Sequence, residues 1–432
     1  MAKIVITNAV GRLASGRHLV LFPSRCDWVG DFHPFSYSPY ELAYLSALLK
    51  RELPQHEIHL VDPNLHQMDP DQTVQLIEAF EPDVLVAECA HLTYPAMTGV
   101  MREIKKSRFV YAILTGPYGT SFPKEAYRDG WDAVIPGEYE VKVLGHLLNG
   151  EPEPGYVDLD RLPFPEDHDI NRIFYSECSN PYPGMVQVYA SRGCAFGCTY
   201  CTAPLYYGGH GRSFHAWRGR DPEKVCDEIE YLAGRYPQFT GAFFNEEDHS
   251  SNPRWLASLA DTITRRGLAR YHYEAMCSSH RLSGPLIEKL GRAGYCQLRI
   301  GCESLDPGVG AAIHKRTFPQ KFTGVLSACK ASGIRTYITV MVGAPGSSWE
   351  ADLATLEALA DLKAKGLLDV VQHSTATPNP GTPFYYQALR EGWLVETDVS
   401  RYNWKSPVVN YPNYSAEEIG RMNQMYYSLR VQ

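Results

Sequence analysis

Residues 188–201 read Val-Tyr-Ala-Ser-Arg-Gly-Cys-Ala-Phe-Gly-Cys-Thr-Tyr-Cys, which sets Cys194, Cys198 and Cys201 in a C-x3-C-x2-C array on a Gly-bearing loop. An apolar, strand-like run at 185–190 leads into it. Three closely spaced thiolates suit a 4Fe–4S cube: they hold three irons and leave the fourth open, because no fourth Cys lies at comparable spacing. An iron without a protein thiolate is a place where chemistry can happen. Structural zinc is the competing reading of clustered Cys. It needs four closed ligands, usually two C-x2-C or His pairs, and the nearby His210, His215 and Cys226 lack that pairing.

At 432 residues the chain exceeds the size at which one core stops growing, so two domains and a small extra element are expected. Hydrophobic content of 44% and charged content of 21% describe an ordinary soluble globular protein. The net charge of −8 argues against nucleic acid as a partner, and basic runs are as short as Lys105-Lys106. No apolar run reaches membrane-spanning length, and residues 1–6 read as a first strand rather than a signal peptide. Cys26, Cys89, Cys178, Cys226, Cys277, Cys296, Cys302 and Cys329 are scattered singly, as buried small hydrophobes are. A cytoplasmic location is the expectation.

From about residue 3 to 150 apolar runs alternate with helical patterns, the signature of a Rossmann-like, doubly wound parallel sheet. Strands are expected at 4–6, 57–61, 83–87, 109–114 and 133–135, and helices at 40–53, 73–80 and 96–105. Ligands of such sheets sit beyond the carboxyl ends of the strands, here at 89–95, 115–121 and 136–140. There is no G-x-G-x-x-G, so a dinucleotide is not expected. Residues 151–184, rich in Pro and acidic residues, read as a linker. A βα rhythm then resumes, with strands at 185–190, 241–244, 271–276, 296–301, 335–342 and 369–375 and helices between them. Six βα units over 185–385 make a partial (β/α)6 TIM barrel, whose catalytic groups belong at strand carboxyl ends. The Cys loop follows the first strand as it should, and 386–432 form a short C-terminal segment.

The Cys array, with Tyr200 just before the last Cys, resembles the radical S-adenosylmethionine (SAM) family. The resemblance implies that the open iron chelates the amino and carboxylate groups of SAM. An electron then cleaves a C–S bond to give a 5′-deoxyadenosyl radical, while the protein supplies position, dryness and substrate choice. Further segments are similar to the family in order. Asn245-Glu246-Glu247-Asp248 stands where an acidic cluster meets the SAM amino group, and Asn245, Glu246 and Glu247 compete for that role. Gly301-Cys302-Glu303-Ser304 implies Glu303 at the ribose, Gly343-Ala344-Pro345-Gly346 a turn near the adenine, and Pro380-Gly381-Thr382-Pro383 the turn closing the barrel. Tyr200 would pack on adenine. Arg299 points into the barrel by alternation or pairs with an acid.

The first domain resembles the cobalamin-binding domain that precedes many such enzymes. The likeness rests on Pro39, Tyr44 and Leu45, Val61-Asp62, Pro82-Asp83-Val84, Gly116-Pro117 and Gly137-Glu138-Tyr139-Glu140. It implies Thr93, Gly116, Pro117 and Glu138 at cobalamin. The Asp-x-His-x-x-Gly motif is missing, so a cobalamin site and a cofactor-free lid both stay open. The implied function is hydrogen abstraction from a small natural-product-type substrate, most simply in cobalamin-dependent C-methylation. The alternative is a radical SAM dehydratase, cyclase, epimerase or rearrangement enzyme. An iron–sulfur electron carrier is the non-enzymatic reading and predicts a fourth protein ligand. The short C-terminal segment favours a small polar substrate, and a flavodoxin or ferredoxin would supply electrons.

Overall fold

The strand Lys3–Asn8 (β1) opens a parallel sheet because its residues serve both faces alternately. Val5 enters one core with Leu85, Ala87, Met97, Met101 and Trp131, while Ile4 and Ile6 enter the other with Leu42, Leu45, Leu49, Ile113 and Val143. Each buried Val, Leu, Ile or Met among them contributes roughly 1.5–3 kcal/mol. The structure is a computed structural model that describes residues 1–11, 19–22, 26–29, 37–149, 156–175, 180–207, 217–315 and 317–429. The chain divides into two units near residue 178, with 205–207 and 398–403 belonging to the first.

In the first unit a short antiparallel pair, Leu19–Phe22 (β2) and Cys26–Val29 (β3), stands apart from the main sheet. Glu57–Val61 (β4), Val84–Glu88 (β5), Tyr111–Thr115 (β6) and Ala133–Val134 (β7) complete the main sheet in the order β4-β1-β5-β6-β7, all parallel. The strand order reverses between β1 and β5, so the crevice beyond their carboxyl ends is the switch point where such folds take ligands. Helices Pro70–Glu78 and Tyr94–Ser107 cover one face, and Tyr40–Glu52 and Glu140–Asn149 the other. The second helix starts three residues before its apolar period. Asp69 accepts from the Gln72 N–H at 2.8 Å while the Gln72 side chain accepts from the Asp69 N–H at 3.0 Å, a capping box followed by Pro70. The strand-end segment at 115–121 forms a short helix, Gly116–Ser121, with Pro117 in its first turn. Residues 156–175 pack onto this unit: Ile170 and Tyr175 join the second core, and Glu166 accepts from Lys50 at 2.7 Å.

The second unit begins with Met185–Val188 (β8), followed by the small antiparallel pair Ser191–Arg192 (β9) and Arg218–Gly219 (β10). Gly241–Phe244 (β11), His272–Ser278 (β12), Tyr295–Glu303 (β13), Arg335–Val342 (β14) and Val370–Thr375 (β15) then add one by one, each parallel to the last. This is the six-stranded sheet of a partial barrel. The helices between strands start on side-chain caps, as at Asp221, Asn252 and Ser348.

Two register shifts in β13 matter. The first, opposite Tyr273/Glu274, puts Gln297 and Arg299 on the side of Glu274. There the Arg299 guanidinium, 4.3 Å from the Phe243 ring centre and 4.7 Å from that of Tyr337, donates to the Glu274 carboxylate. Both expectations for Arg299 are therefore met at once. The second shift falls between Gly301 and Glu303, where Glu303 adopts the left-handed region at φ 60°.

The C-terminal segment braces the turn after β14. Gly343 lies at φ 70°, its N–H donates to Asp352 at 2.8 Å, and its carbonyl accepts from the Tyr411 hydroxyl at 3.0 Å. Asp352 also accepts from Ser347 and Tyr414, yet burial pushes its carboxyl up to about 6. A Cβ at position 343 would stand 2.8 Å from Ile419 of the helix Ala416–Tyr426. Gly343→Ala therefore combines left-handed strain with overpacking, and a loss of ~2–3 kcal/mol is expected from urea unfolding midpoints. Trimming Ile419 to Ala in the same chain should relieve only the packing share. A Gly343→Ala protein with an unchanged midpoint would show that the turn is not held as described.

Candidate active site

Backbone hydrogen bonds from three directions fix the cysteine loop. Gly193 N–H donates to Glu247 at 3.0 Å, and Ala195 N–H to the Ser251 hydroxyl at 3.0 Å, which itself donates to Asp248 at 2.9 Å. Thr199 N–H reaches the Ile313 carbonyl at 3.1 Å, and the Thr199 carbonyl accepts from Phe384 N–H at 3.0 Å. Partners thus come from the loop after β11, the segment after β13 and the turn after β15, all at the carboxyl ends of the strands.

Cys198 is buried, Cys194 and Cys201 are half-buried, and none of them is in a disulfide. Burial pushes the Cys194 thiol up, with Asp248 and the other two thiols adding to it. Burial likewise pushes Cys198 up to about 12, against the pull of Lys315. Thiols so placed stay protonated until a metal takes them as thiolates. Among the described residues no three His, Cys, Asp or Glu side chains converge as they would round a single ion. A cube asks for something different, one iron per thiolate. Of the alternative zinc ligands, Cys226 lies in the helix Pro222–Arg235 among Arg266, Glu223 and Glu230, and His210 and His215 lie outside the described residues. The donor set on this loop fits a cluster with an open iron.

The expected SAM residues separate by environment. Glu246 is engaged through one oxygen: its Oε1 meets the His249 ring at 2.5 Å and accepts from the Ser191 hydroxyl at 3.2 Å, while its Oε2 is buried with no hydrogen-bond partner, and His249 in turn meets the Tyr295 hydroxyl at 2.8 Å. Glu247 holds the loop through Gly193, and Asn245 is buried at the end of β11. Tyr200 and Glu303 come together, since burial first and the Glu303 carboxylate next push the Tyr200 phenol up. Gly343 sits at the end of β14 with both backbone polar groups engaged, as described above.

Sequence reading missed Lys315. Its ammonium lies 2.8 Å from Glu303, with both side chains 12% exposed. Burial works against the charge, but Glu303 and Cys198 outweigh it and raise the Lys315 pKa above its usual value. Nothing in the local sequence marks it; only the fold of the segment after β13 brings it to the cysteines.

At the carboxyl ends of the first unit, Thr93 bonds within its own turn, to the Ala90 N–H at 3.2 Å and carbonyl at 3.3 Å. Gly116 has φ 87°, and a Cβ there would meet Glu88 at 2.7 Å, so glycine is required for the close approach to β5. Pro117 starts the short helix, and buried Glu138 accepts from the Val157 N–H at 3.3 Å. His91, on the loop after β5 at the switch point, is buried and rests against Tyr118 and Phe122. Its Nε2 has no hydrogen-bond partner, and burial lowers its pKa to about 3.

An open six-stranded parallel barrel carries three cysteines on the loop after its first strand. Residues 188–359 match the Radical SAM superfamily, a domain that implies a 4Fe–4S cluster and SAM as cofactors. A methyltransferase of Pyrococcus horikoshii, itself uncharacterised, is 23% identical over 415 residues, which cover 90% of this chain and 86% of the relative. The radical SAM methyltransferase TsrM of Kitasatospora setae, solved with cobalamin and a 4Fe–4S cluster, superposes with a TM-score of 0.68 at 16% identity, covering 90% of this chain and 78% of that one. The cobalamin-dependent radical SAM enzyme OxsB, solved with aqua-cobalamin and SAM, gives a TM-score of 0.70 at 12% identity, covering 98% and 66%. No helix among the described residues is long and apolar enough to cross a membrane.

Proposed function

We propose that this enzyme is a cobalamin-dependent radical SAM methyltransferase acting on carbon in a small natural-product-type molecule. The observation that carries the proposal is the union, in one chain, of a pinned three-cysteine barrel loop with a doubly wound sheet ahead of it. Relatives and structural neighbours named as methyltransferases support it.

In this reading Cys194, Cys198 and Cys201 hold three irons, and Glu247 and Ser251 keep the loop from collapsing when the cluster is bound. Asn245, Glu246 and Glu247 are the acceptors for the SAM ammonium, Glu246 through the Oε2 that its bonds to His249 and Ser191 leave over. Glu303 receives the ribose hydroxyls, Tyr200 flanks the adenine, and Gly343 lets the backbone turn close by. Thr93, Gly116, Pro117 and Glu138 line the cobalamin side of the first unit. The cluster and SAM, when bound, supply a 5′-deoxyadenosyl radical, and cobalamin, when bound, supplies a transferable methyl group. Residues 1–150 then form the corrinoid part, 151–184 the connection, 185–385 the radical part and 386–432 a brace. The electron donor is a flavodoxin or ferredoxin, and the oxygen-labile cluster suits a cytoplasmic home.

The test needs no knowledge of the substrate. Anaerobically purified protein is loaded with hydroxocobalamin and passed through gel filtration, then reduced and given SAM. A retained corrinoid spectrum and release of S-adenosylhomocysteine are expected. If no corrinoid stays bound and SAM yields only 5′-deoxyadenosine and methionine, the enzyme belongs with the dehydratases, cyclases, epimerases or rearrangement enzymes instead.

A further inference from the structure

The roles given above leave the Lys315 ammonium without a task. Its segment is stitched to the cysteine loop, since Thr199, between Cys198 and Cys201, donates to the Ile313 carbonyl two residues before it. Its ammonium lies over Gly301, where a Cβ would come within 2.3 Å of Nζ, and is anchored on Glu303. Glu303 holds that position from a left-handed backbone at φ 60°, a conformation costly for a non-glycine residue and sustained only by its surroundings. Among the described residues Cys194, Cys198, Cys302, Glu303 and Asp248 are the charged or titratable groups that face Lys315. An ion pair this far from water gains little stability for the fold, so another consequence of placing a fixed positive charge here is worth seeking.

We propose that Lys315, held by Glu303, is a positioning charge that raises the reduction potential of the cluster bound by Cys194, Cys198 and Cys201. The inference rests on the cluster reading above. Reduction transfers one electron from an external one-electron donor of the flavodoxin or ferredoxin class to the cluster, with no bond made or broken, and adds one negative charge to the loop. In a dry site a unit cation nearby stabilises that added charge, and an effect of at least tenfold in the reduction equilibrium follows. The anchor acts in the opposite sense, because the Glu303 carboxylate offsets part of the lysine's field.

The experiment is a redox titration of the reconstituted, SAM-free protein, read by the EPR signal of the reduced cluster. Lys315→Met should shift the equilibrium at least tenfold toward the oxidised cluster, a fall of about 59 mV for one electron. Lys315→Arg should stay within threefold of wild type, and Glu303→Gln should move it the other way. Iron content and the visible spectrum check that each variant still carries its cluster. A Lys315→Met protein with an intact cluster and an unmoved midpoint overturns the proposal. Should that variant fail to hold iron, Lys315→Gln, which removes the charge but keeps a polar chain, takes its place: a fall in midpoint supports the proposal, and no fall overturns it. Wild-type protein that binds no cube at all overturns the cluster reading itself, a result distinct from a cube whose potential ignores Lys315.

Discussion

Cys198→Ala is expected to abolish both the brown iron–sulfur colour and all SAM cleavage while leaving a folded protein. Two thiolates are too few to hold a cube whose fourth iron stays open for SAM, so the electron source goes with the ligand. The fold should survive because the loop is held by backbone bonds at Gly193, Ala195 and Thr199 rather than by the thiol. The barrel core lies elsewhere, under helices such as Pro253–Arg265 and Gly284–Arg292, through Leu256, Leu259, Ile287 and Leu290. The contrast is with cysteines of the barrel wall. Cys277 and Cys329 are buried and unpaired, and replacing either by Ala should cost on the order of 1 kcal/mol and keep the colour. Iron analysis, visible absorbance and deoxyadenosine yield on the three variants are the measurement. SAM cleavage surviving in Cys198→Ala would remove the radical SAM chemistry from this loop.

The sequence showed most clearly those elements whose physics is local. Strands 57–61, 241–244 and 335–342 were expected with the bounds the structure has, since each is an apolar run fenced by turn residues. The helix at 70–78 was misjudged at its start because the capping box of Asp69 and Gln72, not the apolar period, decides where it begins. The pair β2/β3 was not expected at all. Within the site, the three cysteines were legible because their spacing is itself the chemistry. Ranking Asn245, Glu246 and Glu247 was not, for the chain leaves the strand there and alternation no longer tells which side each residue faces. His249 and Tyr295 fix one oxygen of Glu246, and they lie on different elements. Lys315 was invisible for the same reason, its meaning arising only when the segment after β13 folds back on the cysteine loop.

Glu274→Ala should produce the largest stability loss of any single change in the barrel wall, ~3–5 kcal/mol, because it takes a buried carboxylate from a buried arginine. Glu274 is fully buried on β12 and receives Arg299, the Gln297 amide at 2.5 Å and the Asn180 amide at 2.5 Å. Removing it takes that carboxylate from the Arg299 guanidinium, which lies between Phe243 and Tyr337. The two rings remain, but a desolvated cation–π contact is worth only about 2 kcal/mol, less than the several kcal/mol that losing one partner of a buried pair costs. The double change Glu274→Leu with Arg299→Met removes both charges and keeps volume, so it should recover most of the loss, to within ~1 kcal/mol of wild type. Urea midpoints followed by circular dichroism test this, compared as midpoints because a chain of two units need not unfold in one step. Glu274 and Arg299 lie toward the amino-terminal half of the barrel, away from the cysteine loop, so protein that does fold should still load its cluster. Equal midpoints for the single and double variants would mean that the lost amide bonds, not the carboxylate taken from the arginine, set the cost.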